Sequence, residues 1–254
     1  MISSVNTNSY IELFHLLFLE QLGLKIDRRL YTLKGGCNLR FFLDSIRYSE
    51  DIDIDIHTIA VPTLKKTIGK ILSGLPFKQI LSSRDIEIVG LSESKQTNTT
   101  QRWKIQLKIQ DQSLPVNTKI EFSRRAKPPE ANIEPVLKKW VMRYRIRPFF
   151  VNHYAPDDAF SQKVNALINR TETQARDVFD IHHLLQTQRI SHFPSLNREQ
   201  LEKATANALE VTFPLFKSQV LSYLELELIR EYDSEDIWNT MLSTVIDSLK
   251  LLST

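Results

Sequence analysis

The sequence predicts an α+β fold in two parts. A mixed sheet with flanking helices is expected over residues 1–150, followed by an α-helical bundle over 151–254. Three observations lead there. Polar and apolar residues alternate through 51–57, 103–109 and 116–122, the two-residue period of strands. From Ala155 onward apolar residues recur at helical spacing instead. Between the two textures lie Pro128-Pro129 and a basic stretch, so the boundary is expected within 128–155.

Taken in order, residues 9–22 form a helix with a wide apolar face that includes Ile11, Phe14, Leu17, Phe18 and Leu22. Leu30–Leu33 reads as a short strand entering Gly35-Gly36, and Asn38–Leu43 as helix. The interval from the glycines to the next acidic run has the length of about four helical turns. Asp51–His57 is a strand, and Pro62–Leu72 a helix with proline at its start. Asp85–Val89, Trp103–Ile109 and Val116–Phe122 are strands, with Trp103, Ile105, Leu107 and Ile109 on one face. The Ser/Thr/Asn-rich stretch 91–100 reads as an exposed hairpin loop. Helices follow near 156–170, 174–187, 197–210, 214–230 and 234–251, and the chain after the second of these carries no motif.

Hydrophobic residues make up 42% and charged residues 25%, a composition that argues against a disordered or membrane-embedded chain. No apolar run has the length of a membrane span, and the N-terminus lacks the features of a signal peptide. The single cysteine, Cys37, allows no disulfide within the chain and fits a reducing compartment, so a cytoplasmic location is expected. A net charge of +3 says little by itself about nucleic acid.

The segment Lys34–Ile56 carries the chemistry. On a strand, Asp51, Asp53 and Asp55 share one face, and Ile52, Ile54 and Ile56 the other. A row of like charges is costly, and Asp is depleted in strands. A divalent cation offsets the repulsion, and Mg²⁺ favours carboxylate and phosphate oxygens. The competing reading is an edge strand charged for solubility. Gly35-Gly36 opens a helix, where free N–H groups and the helix dipole suit a phosphate. Downstream, Glu121 is placed to bring a third carboxylate. Lys163 and Arg170 fall on one helix, and Arg176, Asp177 and Asp180 on the next, with Arg176 and Asp180 spaced as an ion pair. His182-His183 diverge by about 100° on a helix and do not share a metal. Cys37 has no local histidine partner and reads as a small packed residue.

These elements resemble the nucleotidyltransferase superfamily of DNA polymerase β type, and more closely the AbiEii toxin family of type IV toxin–antitoxin and abortive-infection systems. The opening is Lys34-Gly35-Gly36-Cys37-Asn38-Leu39-Arg40 and the acidic motif Arg47-Tyr48-Ser49-Glu50-Asp51-Ile52-Asp53-Ile54. The late motif is Lys163-Val164-Asn165-Ala166-Leu167-Ile168-Asn169-Arg170, then Arg176-Asp177-Val178-Phe179-Asp180. The match runs from about residue 9 to 187. It departs from the family at Cys37-Asn38, where relatives often carry a phosphate-contacting hydroxyl, and at Glu121, often Asp.

The resemblance implies transfer of a nucleoside monophosphate from an NTP to an acceptor. Asp51 and Asp53 would hold two Mg²⁺ ions, with Mn²⁺ as a substitute, and Glu121 would serve the acceptor side. Gly35 and Gly36 would cradle phosphates and Lys163, on the helical domain that completes the site, would neutralise the triphosphate. Arg40, Arg47, Ser49 and Arg176 join the nucleotide-binding set, Arg47 alternatively bracing the acidic strand. Asp177 is either catalytic or orients Lys163 and Arg176, and Asp55 is set aside at the edge of the site. The implied acceptor is the tRNA 3′ end. Arg124, Arg125, Lys127, Lys138, Lys139, Arg143, Arg145 and Arg147, interleaved with Trp140 and Tyr144, read either as an RNA groove with stacking groups or as a solvated face. A small-molecule or protein acceptor, or an inactive NTP-binding module, are the alternatives. The family also implies a winged-helix antitoxin as partner.

Overall fold

The computed structural model describes residues 7–110, 112–124 and 132–251. Arg125, Lys127 and Pro128-Pro129 lie outside the described residues. The rest fall into two compact units, one drawn from Met1–Phe42 and Tyr48–Tyr154, the other from Leu43–Arg47 and Ala155–Thr254.

The first unit is built on a five-stranded mixed sheet. Its strands are β1 (Tyr31–Lys34), β2 (Ile52–Ile56), β3 (Ile86–Gln96), β4 (Thr100–Ile109) and β5 (Val116–Arg124), in spatial order β1-β2-β5-β4-β3. β2 and β5 are parallel, and every other neighbouring pair is antiparallel. Alternation decides which face is covered. Trp103, Ile105, Leu107 and Ile109 of β4, with Ile120 and Phe122 of β5, are buried, while Lys104, Gln106 and Lys108 between them are exposed. Trp103 and Phe122 meet edge to face at 5.8 Å. Each Ile, Leu or Phe buried in this way contributes about 1.5–3 kcal/mol.

The helices of this unit are α1 (Thr7–Lys25), α2 (Gly35–Phe42), α3 (Val61–Ser73) and α4 (Leu75–Ser82). α1 is buried almost throughout Ile11–Leu19, and its Phe14 packs on Phe77 of α4. A two-stranded sheet, β6 (Ile133–Pro135) with β7 (Phe150–Asn152), flanks α5 (Lys138–Tyr144).

The second unit is all helical: α6 (Pro156–Asn169), α7 (Ala175–Gln186), α8 (Arg198–Leu209), α9 (Phe213–Gln219), α10 (Leu226–Tyr232) and α11 (Glu235–Leu251). α6 starts on a proline, with Asp157 and Asp158 in its first turn, where the helix dipole favours negative charge. α8 starts on an Asn197/Gln200 capping box. Phe216 stacks on Trp238 at 4.7 Å in its core.

The helix expected over Asn38–Leu43 is α2, which ends at Phe42 before Asp44 takes a left-handed φ of 64°. The structure corrects three readings and adds a helix. Residues 91–96 are strand, not loop, because backbone pairing with β4 holds a polar segment extended, and the turn is confined to 97–99. α4 restarts at Leu75-Pro76 after Gly74. The helix expected over 214–230 breaks at Val220 into α9, a 3₁₀ turn at Leu221–Tyr223, and α10. Within the basic stretch, Trp140 and Tyr144 point inward on α5 and are buried, so they are not free to stack on bases.

Candidate active site

Strand register assembles the acidic centre. Lys34 of β1 stands opposite Asp53 of β2, Asp53 opposite Glu121 of β5, and Glu121 opposite Arg102 of β4. Cross-strand neighbours share a face, so one row crosses four strands as cation, two carboxylates, cation. The sequence places Asp53 and Glu121 68 positions apart; only the parallel β2–β5 pairing brings them together.

The three aspartates of the acidic run differ sharply. Asp51 lies just before β2. Its Oδ1 accepts from the Lys119 backbone N–H at 3.0 Å, and its Oδ2 from Lys119 Nζ at 2.6 Å. Asp53 is half-buried and has no hydrogen-bond or ion-pair partner among the described residues. Burial pushes its carboxyl up, aided by Asp51 and Glu121, and Lys119 and Lys34 only partly counter this. Asp55 is fully buried, ion-paired with Lys34 and hydrogen-bonded by Tyr154 Oη at 2.6 Å. It is held as a structural charge behind the pair.

Gly35 answers for the space beside Asp53. Its φ is +66°, and a β-carbon there would fall 2.9 Å from Asp53 Oδ2. The glycine therefore serves two ends at once, a left-handed turn into α2 and an open flank on the carboxylate. Ser49 Oγ donates to the Asp51 carbonyl at 2.9 Å rather than standing free for phosphate.

A buried chain supports the Glu50–Asp51 backbone. Thr118 Oγ1 donates to the Glu50 carbonyl at 2.7 Å, so His15 Nε2–H donates to Thr118 Oγ1 at 2.8 Å. That leaves His15 Nδ1 facing Cys37 Sγ at 3.5 Å. The ring is neutral, its pKa pushed down to about 3 by burial. Cys37 has a histidine beside it after all, but burial pushes its thiol well up, which suits packing and not nucleophilic work.

Glu121 Oε2 accepts from Arg102 Nε at 2.6 Å. Lys119 and Arg102 thus occupy two of the three carboxylates, and among the described residues no three His, Cys, Asp or Glu side chains already close around one point. The donors of Asp51, Asp53 and Glu121 are nonetheless all carboxylate oxygens, the set a hard divalent ion takes. Asp53 is unpartnered, Gly35 leaves its flank open, and the two resident cations stand where positive charge is required. The residues fit such an ion.

In the helical unit, Lys163 Nζ of α6 lies 3.1 Å from Asp177 Oδ1 and 2.6 Å from Asp180 Oδ2 of α7. Arg47 adds a forked contact to Asp180, at 3.2 Å to Oδ1 and 3.0 Å to Oδ2. Arg170 Nε lies 2.7 Å from Asp177 Oδ2, an ion-pair distance without hydrogen-bond alignment. Burial alone would raise Asp180, but Arg47 and Lys163 outweigh it and hold the carboxyl at about 2. Burial likewise works against the Lys163 ammonium, and Asp180 and Asp177 overcome it to raise its pKa.

Two arginines of the expected nucleotide set are engaged elsewhere. Arg40 is 1% exposed, paired with Glu12 at 2.6 Å, and sandwiched by the rings of Trp140 and Tyr48. Tyr144 Oη also bonds Glu12, which accounts for the inward aromatic pair on α5. Arg47 grips Asp180. Gly36 lies in the first turn of α2, and Arg176 is half-buried on α7. Sequence reasoning gave no part to Lys119, Arg102 or Lys34. Lys119 was within reach of it, since two residues before Glu121 on a strand means the same face.

A search of curated proteins returns no match. A family model described as nucleotidyl transferase AbiEii toxin, type IV TA system, matches residues 17–251. Among solved structures, JHP933 from Helicobacter pylori superposes with a TM-score of 0.57 at 18% identity, covering 98% of this chain and 96% of that one. A second Helicobacter pylori structure gives 0.59 at 18%, covering 98% and 99%. The nucleotidyltransferase toxin MenT4 of Mycobacterium tuberculosis gives 0.58 at 13%, covering 97% and 94%. At these identities the structural likenesses speak for the fold alone. The family model covers nearly the whole chain, and with the acidic centre on the sheet it decides the matter: this chain belongs to the AbiEii nucleotidyltransferase toxin family of type IV toxin–antitoxin systems, an enzyme that uses NTP and whose system includes an antitoxin.

Proposed function

We propose that this toxin transfers a nucleoside monophosphate from an NTP to RNA, at the 3′ end of tRNA, with Asp51, Asp53 and Glu121 as its centre. The observation that carries the reading is the in-register Asp53–Glu121 pair beside Gly35. The acceptor hydroxyl oxygen bonds to the α-phosphorus, the bond to pyrophosphate breaks, and the hydroxyl proton passes to a carboxylate. Glu121 is the assigned proton acceptor on the acceptor side. Asp51 and Asp53 would hold Mg²⁺, or Mn²⁺, which supplies charge stabilisation to the attacking and leaving oxygens. The N–H groups at Gly35-Gly36 receive phosphate oxygens. Lys163 is the cation assigned to the triphosphate, and Asp177 and Asp180 position it. Arg40 and Ser49 are assigned to support of the fold and of the Asp51 backbone, and Arg47 to positioning Asp180.

Cytoplasmic action, a role in phage defence and a winged-helix antitoxin follow from the same family reading. Among the described residues no helix is long and apolar enough to cross a membrane. The test is incubation with each α-labelled NTP and total tRNA, beside Asp51→Ala and Lys163→Ala. Label in RNA that both variants lose supports the reading. Label in protein or in a small molecule moves the acceptor class, and no label with intact NTP binding points to an inactive module.

A further inference from the structure

The sheet face that carries the acidic centre does not end at Glu121. Across β4 and β3 the same row continues from Arg102 to Lys95, its in-register partner. In the adjacent row Lys104 of β4 stands opposite Lys119 of β5. Two like-charge pairs thus face each other across neighbouring strands, an arrangement that destabilises a sheet unless an anion sits over it. Arg102 and Lys119 are satisfied by Glu121 and Asp51. Lys95 and Lys104 are exposed and have no ion pair or hydrogen bond among the described residues. The opposite face of β4 is sealed in the core, so these cations share the open side with Asp53.

We propose that this open face of β4 and β3 docks the phosphate backbone of the RNA acceptor, with Lys95 and Lys104 as its free contacts and Arg102 and Lys119 linking it to the acidic centre. The assignment rests on the RNA reading above. Charge complementarity favours a chain of phosphates over a lone anion. The cations are spread over three strands about 4.8 Å apart, and a single phosphate reaches only part of them. The face, and not the strand edge, is the binding element. β3 is the sheet's edge, but its register slips between Ile88 and Gly90 and again between Ser92 and Lys95, irregularities that discourage strand addition. A strand of RNA lying along Lys95 and Lys104 would run toward Glu121 and present its terminal hydroxyl there.

The test is fluorescence anisotropy of a labelled single-stranded RNA oligonucleotide with the full-length protein, over a KCl series. Lys95→Ala/Lys104→Ala is compared with Lys66→Ala/Lys70→Ala, an equal charge loss at exposed positions on α3. The expected result is at least tenfold weaker binding for the first pair and near wild-type binding for the second. The log–log salt slope should fall by about 1.4 in the first pair, at roughly 0.7 per lost phosphate contact on a single strand. Equal binding by the two double variants overturns the surface and leaves the RNA reading standing. Failure of the wild-type protein to bind RNA overturns that reading and the surface with it. Polyglutamate that competes as strongly as RNA at Lys95 and Lys104 overturns the RNA assignment in favour of an acidic protein.

Discussion

Asp53 Oδ2 occupies the space that a side chain on Gly35 would need, 2.9 Å from where a β-carbon would sit. The turn that opens α2 and the carboxylate of β2 are therefore fitted to one another, although 18 positions separate them in the chain. Gly35→Ala should cost about 1–2 kcal/mol for the left-handed backbone alone. It should also displace Asp53 and lower nucleotidyl transfer by more than the lost folded fraction. Urea unfolding and transfer assays on the same preparation separate the two effects.

Arg40 should behave as a structural residue. Its guanidinium is buried between two rings and paired with Glu12. Arg40→Ala leaves Glu12 buried beside Tyr144 without its cation, a loss of about 3–5 kcal/mol. The melting temperature should fall steeply. In the fraction that stays folded, the KM for NTP should stay within a few-fold of wild type, and a rise in KM with unchanged stability would instead place Arg40 on the nucleotide.

The helical network predicts a window of acid sensitivity. Asp180 has a folded pKa of about 2 against an unfolded value of 3.8. A depressed carboxyl adds stability that is complete above the unfolded value and disappears as pH falls toward the folded one. About 2 kcal/mol should therefore be lost between pH 4 and 2. Asp180→Asn should be less stable at pH 7 and should lack this loss in an acid titration of unfolding free energy.

His15 predicts an earlier window. Its folded pKa of about 3 lies below the unfolded 6.5, so the unfolded chain takes up a proton the folded one refuses. Stability should decline as pH falls from 6.5 toward 3, by on the order of a few kcal/mol. His15→Gln should flatten the pH dependence between 6.5 and 4 by about one proton's worth, as read from urea midpoints at several pH values.

Much of the fold was readable because periodicity survives on both faces of the chain. Trp103, Ile105, Leu107 and Ile109 announce a covered sheet face, and Lys104, Gln106 and Lys108 its open one. What could not be read was pairing. Nothing local says that β5 lies parallel beside β2, and on that pairing depends the meeting of Asp53 with Glu121. Charge was misleading where its sign was clear and its partner was not. Arg40 and Arg47 sit in the quoted motifs as candidates for phosphate, yet the structure engages them with Glu12 and Asp180, acids far away in sequence. Trp140 and Tyr144 misled because, on a seven-residue helix whose other side chains are mostly exposed, nothing local tells the inward face from the outward one.

On the proposed reading, neighbouring aspartates of one strand divide the work, Asp53 in chemistry and Asp55 in structure. That division is read from kcat/KM for transfer from labelled NTP by Asp53→Asn and Asp55→Asn, each normalised to the folded fraction. Asp53→Asn should lose at least a hundredfold, about 2.7 kcal/mol of transition-state stabilisation. Asp55→Asn should lower the melting temperature and keep kcat/KM within a few-fold. Transfer that survives Asp53→Asn, or that disappears with Asp55→Asn at unchanged stability, would contradict it.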